Sequence, residues 1–190
     1  MSDPHVLVFV RHPEKGKVKS RIAKVAGEGS AYHIYKTLYD GTMNLTRVIL
    51  YSSTIYSTTG DNGDGVRMQE GRDLGERMYN AFKEVFDEGK GPVVIIGSDC
   101  PGLTPEIIDE AFDLLSKSDL VFGPAEDGGY YLLGMNILQP SLFRDIDWGT
   151  GKVLRQTVEK AEKAGLTHRS LKVLYDVDTV EDARRAGLLN

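Results

Sequence analysis

The chain has 190 residues, 41% of them hydrophobic and 27% charged, with a formal net charge of −5. That composition is ordinary for a soluble globular protein, and a chain of this length buries roughly 70% of its unfolded surface without a disulfide or metal staple. The acidic balance argues against nucleic acid as a partner, because a phosphate backbone needs a cationic surface; a small phosphorylated ligand stays open. Cys100 is the one cysteine and allows no internal disulfide, which fits a reducing compartment. The early apolar run at 6–10 ends at Arg11, too short for a signal-peptide core or a membrane span. The expectation is therefore a cytoplasmic protein of one domain, 1–190, with no membrane span.

In chain order, the β-branched run at 6–10 predicts a buried strand. Ala31, Ile34, Tyr35, Leu38 and Tyr39 recur at three and four, predicting a helix stopped by Asp40-Gly41. Val48-Ile49-Leu50-Tyr51 reads as a second strand. The polar, Gly-rich stretch 52–71 reads as a long loop, either a functional lid or disordered. Leu74, Met78, Ala81, Phe82, Val85 and Phe86 share one helical face, closed by Gly89 and the Gly91-Pro92 breaker.

Val93-Val94-Ile95-Ile96 is the clearest strand. Thr104-Pro105-Glu106 then opens a helix with an N-cap, a proline and an acid in the first turn. Leu120-Val121-Phe122 and the stretch 130–135 read as further strands. Val153, Leu154, Thr157, Val158 and Ala161 mark a helix ending at Gly165. Residues 171–175 predict the last strand, and Thr179 with Asp182 a capping box for a terminal helix. Continuous apolar strands between amphipathic helices predict an α/β fold, a three-layer Rossmann-like, mostly parallel sheet with helices on both faces.

Such sheets bind ligands beyond the carboxyl ends of their strands. After the first strand, Arg11, Lys15, Lys17, Lys19 and Arg21 cluster around Pro13 and Gly16. That pattern suits phosphate oxygens, although a solvated basic loop explains it too. Gly97-Ser98-Asp99-Cys100-Pro101-Gly102 places one carboxylate at a strand end, where it can hold a hard cation or cap a turn. Cys100 has no neighbouring histidine and reads as a packed small residue. Glu126-Asp127-Gly128-Gly129 can face a ligand or form a hairpin turn.

Asp176 and Asp178, two apart, can share a cation or begin a turn. Gly75, one turn inside its helix, suggests a close contact, and Trp148 reads as a packing anchor rather than a base-stacking platform. Asp61-Asn62-Gly63-Asp64-Gly65 fails as a calcium loop, since glycines fill ligand positions and Arg72 stands where Glu belongs. The four histidines show no metal-ligand spacing.

Taken together, Arg11-x-Pro13-x-x-Gly16-x-x-Lys19-Ser20-Arg21, Asp73-Leu74-Gly75-Glu76-Arg77-Met78 and Gly97-Ser98-Asp99-Cys100-Pro101-Gly102 resemble a family of bacterial glycosyltransferase-like proteins. Gly123-Pro124-Ala125-Glu126-Asp127-Gly128-Gly129-Tyr130-Tyr131, Trp148-Gly149-Thr150 and Tyr175-Asp176-Val177-Asp178-Thr179 complete the likeness. The resemblance implies the glycosyltransferase A-type, nucleotide-diphospho-sugar transferase fold, shared with the guanylyltransferases of cofactor synthesis. It implies a transferase dependent on Mg²⁺ or Mn²⁺ that uses a nucleotide-activated small-molecule donor and an acceptor the sequence does not name. By this likeness Asp99 and Asp178 would bind the metal, and Arg11, Gly16, Lys19, Ser20, Arg21, Asp73, Gly75 and Arg77 the nucleotide and its phosphates.

Asp99, Asp127 and Lys19 would form the catalytic set, with Asp127 positioning the acceptor or acting as base. Pro101 fills the second place of an Asp-x-Asp pair, so metal binding by that loop rests on one acid. Two alternatives stand beside glycosyl transfer. One is nucleotidyl transfer from a nucleoside triphosphate to a phosphorylated acceptor; the other is a non-catalytic nucleotide-binding module.

Overall fold

The structure, a computed structural model, describes residues 3–59 and 65–190. Alternation along the first strand, β1 (His5–Val10), sets the layers. Val6, Val8 and Val10 face one side, where they pack with Leu45 of α1 (Ser20–Val48) and with Ile107, Ile108 and Ala111 of α3 (Pro105–Leu115). Leu7 faces the other side, with Met78, Phe82 and Val85 of α2 (Leu74–Asp87) and Ala161 of α4 (Val153–Lys163). The remaining strands are β2 (Ser52–Ser57), β3 (Val66–Met68), β4 (Val93–Ile96), β5 (Leu120–Pro124), β6 (Tyr130–Met135) and β7 (His168–Ser170).

The described strands form one sheet in the order β3-β2-β1-β4-β6-β5-β7. Only the two pairings of β6, with β4 and with β5, are antiparallel. The fold is thus the expected three-layer, mostly parallel α/β sandwich. A terminal helix, α5 (Val180–Arg185), packs Val180 and Ala183 against Ile22, Ile34 and Leu38 of α1. It opens with the predicted Thr179/Asp182 capping box. None of the described helices is long and apolar enough to cross a membrane.

Four local expectations are corrected. Helix α1 does not stop at Asp40-Gly41 but continues to Val48, bent at Gly27 (φ 83°, ψ 158°). The buried positions Leu38, Thr42 and Leu45 extend its core-facing stripe, and that burial outweighs the roughly 1 kcal/mol cost of an internal glycine. Val48-Ile49-Leu50-Tyr51 is consequently not a strand: Val48 closes α1 and Leu50 is 91% exposed.

The stretch 52–71 is not one loop, because it holds β2 and β3. Its polar residues form a strand because the backbone pairs in parallel register with β1, from His5↔Ser52 to Val10↔Ser57. Buried His5 ties that register, with Nδ1 2.7 Å from Ser52 Oγ and Nε2 2.8 Å from Thr54 Oγ1. Asp61-Asn62-Gly63-Asp64, set aside above as a calcium loop, lies outside the described residues.

The last strand is His168–Ser170, not 171–175. Pro124 offers no N–H to continue the ladder, and only the bridge Ala125↔Leu174 resumes it. Helix α3 opens as expected, with Thr104 at the N-cap, Pro105 next and Glu106 in the first turn, although no Thr104 side-chain hydrogen bond caps it.

Candidate functional site

The chain runs β1, β2, β3 to one side of the sheet and then returns to place β4 on the other side of β1. The β1–β4 boundary is therefore the topological switch point, where diverging loops leave a crevice beyond the carboxyl ends. A cleft of about 510 Å³ opens there, lined among others by Val10, Arg11, Lys19, Ser98, Asp99 and Asp178.

Lys19 is its centre. The residue stands at the N-cap of α1 in the left-handed region (φ 47°), which turns its side chain inward. Its side chain is only 6% exposed, with the ammonium 3.0 Å from Asp178 Oδ1 and 2.9 Å from Asp99 Oδ1. The Asp178 contact is a hydrogen bond; the Asp99 contact is an ion pair off the hydrogen-bond direction, so the buried Asp99 Oδ1 has no hydrogen-bond partner. Burial alone would lower the Lys19 pKa, but the charges of Asp99 and Asp178 outweigh it and the value is raised. Arg21 adds a looser contact, 3.9 Å from Asp178 Oδ2. A backbone bond from Val177 N–H to Asp99 C=O, 2.9 Å, pins the two acidic segments together.

Tyr35, from the body of α1, locks the other wall. Its hydroxyl accepts the Arg11 N–H at 3.0 Å, donates to the Arg11 carbonyl at 2.8 Å and lies 3.2 Å from Ser98 Oγ. The first residue after β1 is thereby tied to the loop after β4. Arg11 Nη1 donates to the Lys17 carbonyl at 2.9 Å, folding the basic loop back on itself. Lys19 lies over the Tyr35 ring, 5.9 Å from its centroid.

The structure brings Arg11, Lys19, Ser20, Arg21, Arg77, Asp99 and Asp178 to the cleft lining. Gly16, Asp73, Gly75 and Asp127 are not on that lining, and each has a local role. Gly16 adopts φ 80° in the basic loop. Asp73 caps α2 by accepting the Glu76 N–H at 2.8 Å. Gly75 leaves room for the Trp148 indole, which would overlap any Cβ there, so Trp148 is a packing anchor. Asp127 is exposed and accepts the Gly129 N–H at 2.8 Å in a tight turn.

Cys100 is buried, and desolvation pushes its thiol up to about 12. Asp176 is mostly buried outside the cleft lining, and its carboxyl is pushed up to about 7 by burial, then by the charges of Asp99 and Asp127, against the pull of Lys19.

Sequence reasoning missed four polar side chains of the lining. Tyr35 looked like a core position of α1; Thr58 and Gln69 sat in the supposed loop; Ser98 lay inside a recognised motif without a role. Only Ser98 carried a local signal, its place one residue before Asp99.

Two carboxylates meeting on one cation are hard oxygen donors of the kind Mg²⁺ and Mn²⁺ take, usually with substrate phosphates completing the shell. Among the described residues no group of three or more His, Cys, Asp or Glu side chains could hold a metal by itself. The Asp99 and Asp178 carboxylates that share the Lys19 ammonium thus fit a divalent ion bound jointly with a phosphorylated ligand, not a protein-only cage.

The bacterial family described as an uncharacterized protein conserved in bacteria (DUF2064) matches residues 48–150. The chain belongs to that family. The DUF2064 match carries Asp99, while Lys19 and Asp178 lie outside it on either side and join it only through the fold.

Among solved structures, a nucleotide-diphospho-sugar transferase candidate from Desulfovibrio desulfuricans G20 is 36% identical, with a TM-score of 0.90 over 96% of this chain and 85% of that one. Rv0371c from Mycobacterium tuberculosis H37Rv, solved with manganese, is 15% identical at a TM-score of 0.58 over 97% and 98%. A cytidylyltransferase from Leptospira borgpetersenii is 14% identical at 0.55 over 96% and 84%. At those lower identities the likeness is one of fold alone. This DUF2064 member has the nucleotide-diphospho-sugar transferase fold. No curated protein matches the sequence.

Proposed function

We propose that the chain is a transferase acting on a nucleotide-activated donor, a nucleotide-diphospho-sugar, through a single domain spanning 1–190. The observation that carries this reading is the buried Lys19 ammonium shared by Asp99 and Asp178 at the switch point of the sheet. The likeness to the Desulfovibrio desulfuricans protein supports it.

In this reading Asp99 and Asp178 hold Mg²⁺ or Mn²⁺, which supplies charge neutralisation to a diphosphate leaving group. Lys19, fixed between the two acids and the Tyr35 ring, presents its ammonium where negative charge develops on the phosphates. Ser20 opens α1, whose amino end favours anions, and Arg11, Arg21 and Arg77 add positive charge around the same cleft. Asp127 positions the acceptor or takes its proton from the neighbouring turn. Gly16, Asp73 and Gly75 support the loops rather than touch the donor.

A second reading is nucleotidyl transfer from a nucleoside triphosphate with release of pyrophosphate. Arg11 and Arg77, which have no carboxylate partner among the described residues, favour it, because they extend the positive lining past the Lys19 end.

The test is thermal shift with nucleotide-sugars and nucleoside triphosphates, each with and without Mg²⁺ or Mn²⁺, followed by product analysis over an acceptor panel. Metal-dependent stabilisation lost in Asp99→Ala and release of nucleoside diphosphate are expected. Stabilisation unchanged in Asp99→Ala removes the metal assignment. Released pyrophosphate selects the second reading, and ligand binding without either product from the panel selects a binding module.

A further inference from the structure

Beside the main cleft lies a second compartment of about 500 Å³, lined by Arg11, His12, Glu14, Lys17, Thr58, Thr59 and Arg77. Arg11, Thr58 and Arg77 line both spaces, so the two adjoin at these residues. Both linings carry more cations than acids, Arg11, Lys19, Arg21 and Arg77 against Asp99 and Asp178 in the main cleft and Arg11, Lys17 and Arg77 against Glu14 in the second compartment. In the main cleft Lys19 is matched by two carboxylates. In the second compartment Glu14 matches Lys17 at 2.7 Å, and the charge of both arginines is left over.

Among the described residues neither arginine has a carboxylate partner. Arg11 donates to the Lys17 carbonyl and Arg77 Nε to the Gly71 carbonyl at 3.2 Å. Each backbone contact holds a guanidinium in place and uses one of its five N–H groups. A third donor shares the lining: Thr58 Oγ1 is buried and has no hydrogen-bond partner among the described residues. Buried hydroxyls are normally paired, because an unpaired one loses its solvation without compensation.

We propose that this compartment is an oxyanion subsite, distinct from the Lys19 end, in which Arg11, Arg77 and the Thr58 hydroxyl grip a phosphate or carboxylate group of a substrate. Planar guanidinium forks suit both groups, and uncompensated positive charge in a concave wall concentrates anions. The anion belongs either to the second substrate or to the far end of the donor. Which substrate carries it rests on the transferase reading; the presence of the subsite does not.

The probe is inorganic phosphate, titrated calorimetrically into the free protein and into protein saturated with Mg²⁺–pyrophosphate, which fills the Lys19 end independently of any base. Phosphate is expected to bind the saturated protein with unchanged affinity. Arg77→Gln should weaken that binding about tenfold or more, the loss expected for a hydrogen bond to a charged group. Thr58→Val should weaken it while leaving the ligand-free protein at least as stable as its parent, which a purely structural threonine would not do. Phosphate displaced one-for-one by Mg²⁺–pyrophosphate, or bound equally by both variants, overturns the proposal.

Pyrophosphate that fails to bind, or that ignores Asp99→Ala, counts against the transferase reading alone, because titration of the free protein and its variants still decides the subsite. Nucleoside diphosphates and triphosphates, both with Mg²⁺, then separate the sources. Displacement by triphosphates only assigns the anion to the donor's terminal phosphate, and displacement by neither assigns it to the second substrate.

Discussion

Replacing Lys19 by methionine tests the core of the site. The ammonium lies 2.9 and 3.0 Å from the two carboxylates. At an effective dielectric near 20, each contact is worth about 5 kcal/mol of gross attraction. Desolvating the ammonium of this side chain, which is 6% exposed, costs several kcal/mol of that. The carboxylates are 42% and 46% exposed, so water screens much of the remainder, and the net loss is about 1 kcal/mol per pair.

Lys19→Met should thus lower metal-free stability by about 2 kcal/mol, a fall of roughly 4–8 °C in Tm for a chain of this size. Mn²⁺ alone should then stabilise the variant more than the parent, because Asp99 and Asp178 no longer share an ammonium. Denaturant titration and thermal melts, with and without Mn²⁺, measure both. Equal Mn²⁺ stabilisation of parent and variant would refute these carboxylates as the cation's ligands, and an unchanged metal-free Tm would refute a net gain from the pair.

Asp176 predicts a pH dependence in the metal-free chain. Its carboxyl is raised from 3.8 to about 7, so across that window the folded chain keeps a proton that the unfolded chain has lost. Stability from this group therefore falls as pH rises from about 4 to 7, by up to about 4 kcal/mol, and is flat above. Asp176→Asn should remove that slope, stabilising the protein above neutrality and not near pH 4, as denaturation at both ends reports.

Tyr35→Phe should cost about 1–3 kcal/mol, because it strips the Arg11 backbone of both its bonds; denaturant midpoints and phosphate affinity should fall together. Gly75→Ala should cost about 1–3 kcal/mol by driving a methyl into Trp148. Trp148 is the sole tryptophan, so its fluorescence reports the displacement directly; an unshifted emission with unchanged stability would contradict that packing.

The sequence by itself determined the fold class. Buried parallel strands are apolar on both faces, so β1 and β4 stood out as continuous runs, and amphipathic helices such as α2 and α3 announced themselves by period. It also singled out Asp99 and Asp178, each placed after an expected strand, whereas Lys19 stood within a basic run and took its individual role from the family resemblance.

It could not show that a residue at 19, one at 99 and one at 178 meet at one point, because strand order is a long-range property that no local window contains. The same cause hid β2, whose Ser-Ser-Thr sequence becomes a strand only when β1 and the His5 side chain receive it. Tyr35 and Thr58 gain roles only once the Arg11 backbone folds against one and the second compartment opens beside the other. The net charge of −5 likewise said little about the ligand, for tertiary structure decided where a cation meets carboxylates, at Lys19, and where, among the described residues, cations have no carboxylate partner, at Arg11 and Arg77.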